Sequence, residues 1–301
     1  MGSKENLSIL LAFLGYSIFG FSFMFSKEAL SITTPLVLLA VRFTLAFMIL
    51  NLLVLTGKFK VNFKGKPIKW LLLLGILQPV AYFLCETFGV DLLATSFVGV
   101  IVSLVPVMSL IFSGFILREK VRAFQVFCVL CSVAGVVLTT LNQGSGSFNW
   151  LGFFLIFGAV CAAGLFNVFS RKISNVFSAF ERTYLMFAVG CVTFIGIALI
   201  QSHGNMQELV VKPLTNLNFW VSILYLSAAS SVGAFLMVNY SVTHLDIARA
   251  TIFANITTII SILAGVLILK EGFTLNQIIG SLIIIASVYG VNRPVRQTNP
   301  A

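Results

Sequence analysis

Charge is scarce in this chain. Only 9% of its 301 residues are Asp, Glu, Lys or Arg, and nine of these are acidic. So few charges cannot solvate the surface of a water-soluble domain of this length, because 59% of the residues are hydrophobic and the mean hydropathy is +1.06. Histidine is nearly absent: His203 and His244 are the only two, and neither has a metal or catalytic partner nearby in sequence. No phosphate loop, no HExxH and no GxSxG occurs. Their absence excludes ATP-driven work by this chain alone and the familiar hydrolase chemistries. Cysteine is present five times, as Cys85, Cys128, Cys131, Cys161 and Cys191, always inside an apolar run. Cys128 and Cys131 form a CxxC, but a zinc site needs four soft or imidazole ligands, and none stand near. Free thiols, no metal and no cofactor are expected. The first apolar run is too long for a signal-peptide core and lacks a basic leader, so it reads as a span.

What the chain does have is ten long apolar runs with short polar breaks. A bilayer-spanning helix needs about 20 mostly apolar residues. The runs are Leu7–Lys27, Pro35–Thr56, Ile68–Val90, Thr95–Leu117, Arg122–Leu141, Trp150–Arg171, Ala179–Ile200, Phe219–Tyr240, Ala248–Leu269 and Gln277–Val291. They are continuous, whereas barrel strands alternate apolar and polar over about 10 residues. In lipid a helix satisfies its own backbone hydrogen bonds. The expected fold class is therefore all-α, a polytopic membrane protein with ten transmembrane helices.

The formal net charge of +10 does not point to nucleic acid, because of where the charges fall. With a cytoplasmic N-terminus, 15 of the 19 Lys and Arg lie at the cytoplasmic face, among them Lys58, Lys60, Lys64, Lys66 and Lys69. Lys27, Lys212 and Lys270 fall outside and Arg42 lies within a span. Cytoplasmic loops carry the excess of Lys and Arg, so both termini are expected in the cytoplasm of a cell-membrane protein. Trp70, Trp150 and Trp220 stand at span starts, where interfacial Trp belongs.

The chain also repeats. Phe25-Ser26-Lys27 matches Phe169-Ser170-Arg171, and the same register sets Gly20 on Gly164, 144 residues apart. Leu117-Arg118-Glu119 matches Leu269-Lys270-Glu271 at a spacing of 152, with Gln125 on Gln277. The extra eight residues belong to the 201–218 break, and 142–149 link the copies. The expected division is a first five-helix repeat, 1–142, and a second, 143–301. Five is odd, so the copies enter the membrane in opposite directions. Inverted repeats of this kind build many secondary transporters, with the substrate near the midplane between the halves.

The run from Tyr16 to Lys27 resembles the first-helix pattern of the EamA-type branch of the drug/metabolite transporter superfamily. There a Trp-Gly-Ser-Asn-Phe run is followed by a Lys at the helix end. Here Phe19 stands for the Trp and Ser22 for the Asn, while Gly20, Phe23 and Lys27 are kept. Arg42-Phe43, Pro106, Glu119, Lys270-Glu271, Gln277 and Gly280 fit the same pattern. The resemblance covers about residues 7–291. It implies a ten-helix transporter with a central cavity and alternating access, moving amino acids, sugars or other metabolites, often outward. The changed positions 19 and 22 border that cavity.

Ionisable groups inside a membrane are functional by default. Two charges sit clearly within spans, Arg42 and Glu86, roughly 6–11 Å below the outer boundary at about 1.5 Å per residue. They lie on consecutive antiparallel helices at similar depth, so a salt bridge between them is within reach. Two readings stay open: a mutual lock, or a group that orients substrate or carries a proton. Gln78, Tyr82 and Glu86 are spaced by four, which predicts one helix face. Ser22, Ser103, Asn167, Asn239 and Asn255 add uncharged polar groups, and each is expected to face helices or a wet cavity rather than lipid. Phe19, Phe23 and Phe166 are the candidates for an aromatic lining. The expected partners are a small-molecule substrate and the lipid bilayer; coupling to a proton or another ion, and pairing as a homodimer, stay open. An intramembrane enzyme, such as a lipid transferase, stays open as another class; it requires converging acids, bases or metal ligands, and the spans supply one carboxylate. The set of polar groups argues against a third class, a purely structural or sensory protein.

Overall fold

In the computed structural model every regular element among the described residues is helical. The described residues are 3–57, 59–116, 118, 123–140, 149–173, 175–202, 205–244 and 247–291. Eight helical segments are long and apolar enough to cross a membrane, and two shorter apolar helices, Asn255–Ile268 and Leu275–Gly290, follow them. We number the helices α1 (Ser3–Leu30), α2 (Pro35–Leu55), α3 (Ile68–Leu92), α4 (Thr95–Ile116), α5 (Ala123–Thr140), α6 (Trp150–Ile173), α7 (Ala179–Gln201), α8 (217–244), α9 (247–268) and α10 (Leu275–Val291).

Local chemistry sets many of the ends. Pro35 opens α2, where its missing N–H costs nothing. Ser178 and Glu181 form a capping box at the start of α7, each side chain accepting from the other's backbone N–H. Thr274 and Gln277 do the same for α10. Asn216 accepts from Asn218 N and Phe219 N to open α8. Two left-handed residues stop helices at like places, Arg118 after α4 and Lys270 after α9, both at φ 55°.

Two helices are broken inside the bilayer span. In α3 the Gln78–Pro79 peptide is cis and Gln78 is extended, at φ −147° and ψ 114°. A residue before proline is pushed out of the helical region. The four-residue spacing of Gln78, Tyr82 and Glu86 is therefore not one helix face: Tyr82 and Glu86 share a turn, and Gln78 stands beyond the break. In α4 the helix is interrupted at Ser103 and Leu104. Pro106 cannot donate to the Val102 carbonyl, so the ladder opens just before it. A 207–214 helical patch also fills part of the 201–218 connection that the sequence suggested was open loop.

The principal packed pairs are α1 with α8 and α9, α6 with α3 and α4, α2 with α7 and α8, α3 with α7, α4 with α9, and α5 with α10. One core joins α2, α3, α6 and α7 around Phe43, Leu74, Phe177, Phe187 and Phe194. A second joins α3, α4, α6 and α10 around Val90, Phe97, Ile101, Ile156 and Ile284, with Phe23 of α1. Leu55, Phe115, Val192 and Ile200 lie bare, each at least 75% exposed. An apolar surface of this kind belongs against lipid, and the protein is an integral membrane protein.

Candidate functional site

Arg42 is carried by α2 into the interior, where it is 3% exposed. Its Nε donates to Ser231 Oγ of α8 at 3.1 Å. Its guanidinium lies over the Phe83 ring of α3, 4.5 Å from the centroid, and beside Phe43 at 5.8 Å. A cation over ring faces gains from the ring quadrupole where water is excluded. The rest of the guanidinium fork, which has five N–H donors in all, finds no acceptor among the described residues.

Glu86 follows Phe83 by three residues, about 4.5 Å of helix rise. It is 2% exposed, and its Oε2 accepts from the Thr87 hydroxyl at 3.1 Å. Its other oxygen accepts nothing from the described residues. The two charges lie close enough to act on each other. Yet no nitrogen–oxygen pair between them is within 4.0 Å, and the ion pair found among the described residues is Lys66–Glu181. The salt bridge that the sequence put within reach is not made. The reason is local: the Arg42 fork is held by Ser231 and by the face of Phe83, rather than by the carboxylate.

Ser22 extends the site to α1. It is 6% exposed, and its hydroxyl lies 3.0 Å from Ile18 O and 2.8 Å from Ser230 Oγ of α8. Ser230 and Ser231 are neighbours in sequence but serve α1 and α2 respectively. The wider π-type winding of 225–234 turns them to different partners. Phe19 meets Phe235 edge-on at 5.3 Å, Phe235 meets Phe187 at 6.0 Å, and Phe187 meets Phe43 at 5.3 Å. This aromatic ladder runs from α1 through α8 and α7 to the Arg42 platform. Tyr82 stands edge-on to Phe83 at 4.8 Å, and Phe166 packs on the same core.

Other candidates lie elsewhere. Asn167 is exposed and donates to Ser109 Oγ of α4 at 3.0 Å. Ser103 turns its hydroxyl to Val100 O, within α4. Phe23 is 4% exposed in the second core, and Asn255 is 8% exposed in α9. The side chain of Asn239 falls outside the described residues, as do Glu119 and His203. Reading the sequence missed Ser230, Ser231, Phe83, Phe187 and Phe235. The available signal was Ser230-Ser231 inside an apolar span, a weaker flag than Asn or Gln.

A second polar cluster lies at the junction of α3 and α4. Lys27 Nζ donates to the carbonyls of Val90, Asp91 and Leu93, closing the C-terminal end of α3. Glu271 accepts from Thr95 N and Oγ1 at 2.7 and 2.8 Å, and from Ser96 N and Oγ at 2.9 and 2.7 Å. The positive end of a helix does meet this carboxylate, but the helix is α4, not the α10 that follows it in sequence. The five cysteines are free, and no cluster of metal-binding side chains occurs among the described residues.

The EamA-like transporter family model matches residues 6–141 and 150–293. An uncharacterized transporter of Bacillus subtilis, YcxC, is 30% identical over 293 residues, covering 96% of this chain and 94% of its own. An uncharacterized transporter of Archaeoglobus fulgidus is 24% identical, covering 95% of this chain and 98% of its own. A crystal structure with TM-score 0.67 and 18% identity covers 94% of this chain and 97% of its own, a likeness of fold.

Proposed function

Because the chain belongs to the EamA-like transporter family, we propose that it is a secondary transporter for a small organic metabolite, an amino acid or related compound, which it moves outward across the cytoplasmic membrane. The mechanism is alternating access between two inverted five-helix halves, residues 1–142 and 143–301. The observation that carries this reading is the pattern of helix packing. Exchanging α1 with α6, α2 with α7, α3 with α8, α4 with α9 and α5 with α10 turns the set of principal pairs into itself: α1 on α9 becomes α6 on α4, and α1 on α8 becomes α6 on α3. The residues agree. Gly20 of α1 lies under Ile260 of α9, and Gly164 of α6 under Met108 of α4. Ile260 and Met108 are 152 apart, the spacing that sets Glu271 on Glu119 and left-handed Lys270 on left-handed Arg118.

One sequence pattern in two opposed copies can pack in two nearly equivalent ways, one open to each side. The polar site of Arg42, Glu86, Ser22, Ser230 and Ser231 lies where α1, α2, α3 and α8 meet, beside the aromatic ladder. A small polar molecule with an apolar portion suits such a mixture. In this reading Glu86 is the span carboxylate placed to orient substrate or to carry a coupling proton. Both termini and the 58–69 loop lie in the cytoplasm, following the charge asymmetry of the sequence.

Purified protein in liposomes, offered a panel of labelled amino acids, sugars, amines and nucleosides, tests the function. Accumulation or exchange of at least one solute above empty liposomes is expected; a well-folded protein inert toward all of them would refute the transporter reading. For topology, Lys64→Cys should resist a membrane-impermeant thiol reagent applied outside intact cells. Labelling from outside would invert the assignment.

A further inference from the structure

We propose that Arg42 and Glu86 bind the two poles of one zwitterionic amino acid, Arg42 taking its carboxylate and Glu86 its ammonium. The proposal rests on the transporter reading and narrows its substrate. Three observations carry it. Both groups are buried, at 3% and 2% exposure, where an unpaired charge is costly. Each is half-anchored by a neutral hydroxyl, Ser231 for Arg42 and Thr87 for Glu86. And each finds no further partner among the described residues, although the opposite charge is near enough to act on it.

A mutual lock would look different. Arg and a carboxylate match as forks and close to under 3 Å in a bidentate pair, on the order of 2.7–2.9 Å. Here Ser231 and the Phe83 face hold the Arg42 fork back from Glu86. The fork is oriented but not consumed. An α-amino acid carries an anion and a cation on one carbon, so it can bridge two such groups and leave no net charge buried. A simple carboxylic acid satisfies Arg42 and leaves Glu86 facing its negative charge. A simple amine does the reverse. The Phe43 and Phe83 rings beside the fork offer an apolar bed for the third substituent.

The experiment uses the full-length protein in liposomes and three probes of like shape: L-leucine, 4-methylpentanoate (which lacks the amine) and isopentylamine (which lacks the carboxylate). The wider panel of amino acids, sugars and nucleosides runs alongside. Amino-acid exchange should be inhibited by other amino acids and about tenfold to a hundredfold less well by either single-pole analogue, the loss expected for one missing charged hydrogen-bonding partner. Equal inhibition by an amino acid and its single-pole analogues overturns the proposal. So does transport of a sugar or nucleoside with no amino acid bound, which leaves the transporter reading standing. Inertness toward the whole panel overturns both.

A second measurement separates binding from folding. Glu86→Gln should weaken amino-acid inhibition while leaving 4-methylpentanoate inhibition unchanged or improved, because the carboxylate that repels that anion is gone. Arg42→Met with Glu86→Leu should fold, having lost both buried charges together, and should lose amino-acid exchange. A double variant that exchanges amino acids like the parent overturns the proposal.

Discussion

The crossing of α1 with α9 and the crossing of α6 with α4 are built alike and end differently. In each, a glycine lets the helices close, Gly20 under Ile260 and Gly164 under Met108. Beyond the first, Phe23 is 4% exposed and Ser261 is 1% exposed, its hydroxyl bonded to Thr95 O. Beyond the second, the positions in register with these are Asn167 and Ser109, which bond each other, with Asn167 exposed. Pro106 and Phe112 of α4 are half-buried, while their counterparts Thr258 and Ala264 are 1% and 2% exposed. The same joint is shut at one end of the molecule and slack at the other. In the orientation proposed above the shut end is outer and the slack end cytoplasmic, the asymmetry that one state of an alternating-access cycle requires.

The two glycines offer the largest way to break this comparison. A Cβ at Gly20 would meet Ile260 Cβ at 2.6 Å and Thr257 O at 2.8 Å, whereas one at Gly164 would meet Met108 Cβ at 3.0 Å. Ile is branched at that atom and the carbonyl belongs to backbone, so little can give way at Gly20, whereas the three nearest neighbours of Gly164 all stand at 3.0 Å or more. Gly20→Ala should cost about 1–3 kcal/mol, as overpacking does, and Gly164→Ala markedly less. Thermal unfolding in detergent would read the order, and the reverse order would mean that the shut joint is not the tighter one.

Glu271 comes next. Its carboxylate receives two backbone and two hydroxyl donors at the start of α4. Glu271→Gln turns an amide N–H toward donors and should cost about 1–3 kcal/mol, with amino-acid affinity unchanged in the protein that folds. Because Glu119 holds the register position of Glu271, Glu119→Gln should behave alike. A variant of normal stability and lost affinity at either position would move these turns from scaffold to site.

A smaller contrast lies between the ends of α7. At its start Glu181 accepts from Lys66 Nζ at 2.8 Å and from Asn62 N at 3.1 Å, tying down the α2–α3 loop. At its other end Gln201 receives, among the described residues, only the Thr34 hydroxyl at 3.1 Å. Lys66→Ala should cost about 1 kcal/mol or less, since Lys66 is partly exposed and screened. Gln201→Ala should cost still less. Limited proteolysis at 58–67 should quicken in the first variant alone; unchanged cleavage in Lys66→Ala would show that the ion pair does not hold the loop.

The all-helical fold and the buried charges could be read from the chain because each depends on local chemistry: apolar length and charge placement. Glu271 stood out through its matched triplet, but not the helix it would cap, since Ser96 of α4 lies 175 residues away in sequence. Arg42 and Glu86 were identified by the cost of burying charge. Their separation was not, because Ser231 and Phe83, which decide it, come from two other helices. The break at Gln78 was half visible in Pro79, because a spacing of four makes no single face across a residue that proline drives out of the helical region. The aromatic ladder was hidden by abundance: among 30 phenylalanines, periodicity cannot choose four.

The smallest expected effect on stability, and the most direct reading of the two joints, comes from cysteine placed at 23 and 167. The five native thiols would first be replaced by Ser or Ala, because Cys85, Cys131 and Cys161 are only half-buried. Asn167→Cys removes one exposed hydrogen bond and should cost about 0.5 kcal/mol or less, as exposed substitutions do. Phe23→Cys empties a packed position and should cost several times more. A thiol reacts as its thiolate and only where reagent and water reach it. A membrane-impermeant maleimide should therefore label position 167 readily in inside-out vesicles and hardly at all in intact cells, and should label position 23 poorly in both. Adding L-leucine should slow labelling at 167 if substrate enters by that joint. Equal labelling of 23 and 167 from the same side would mean that the two joints share one state, and labelling of 167 only from outside would reverse which end is open.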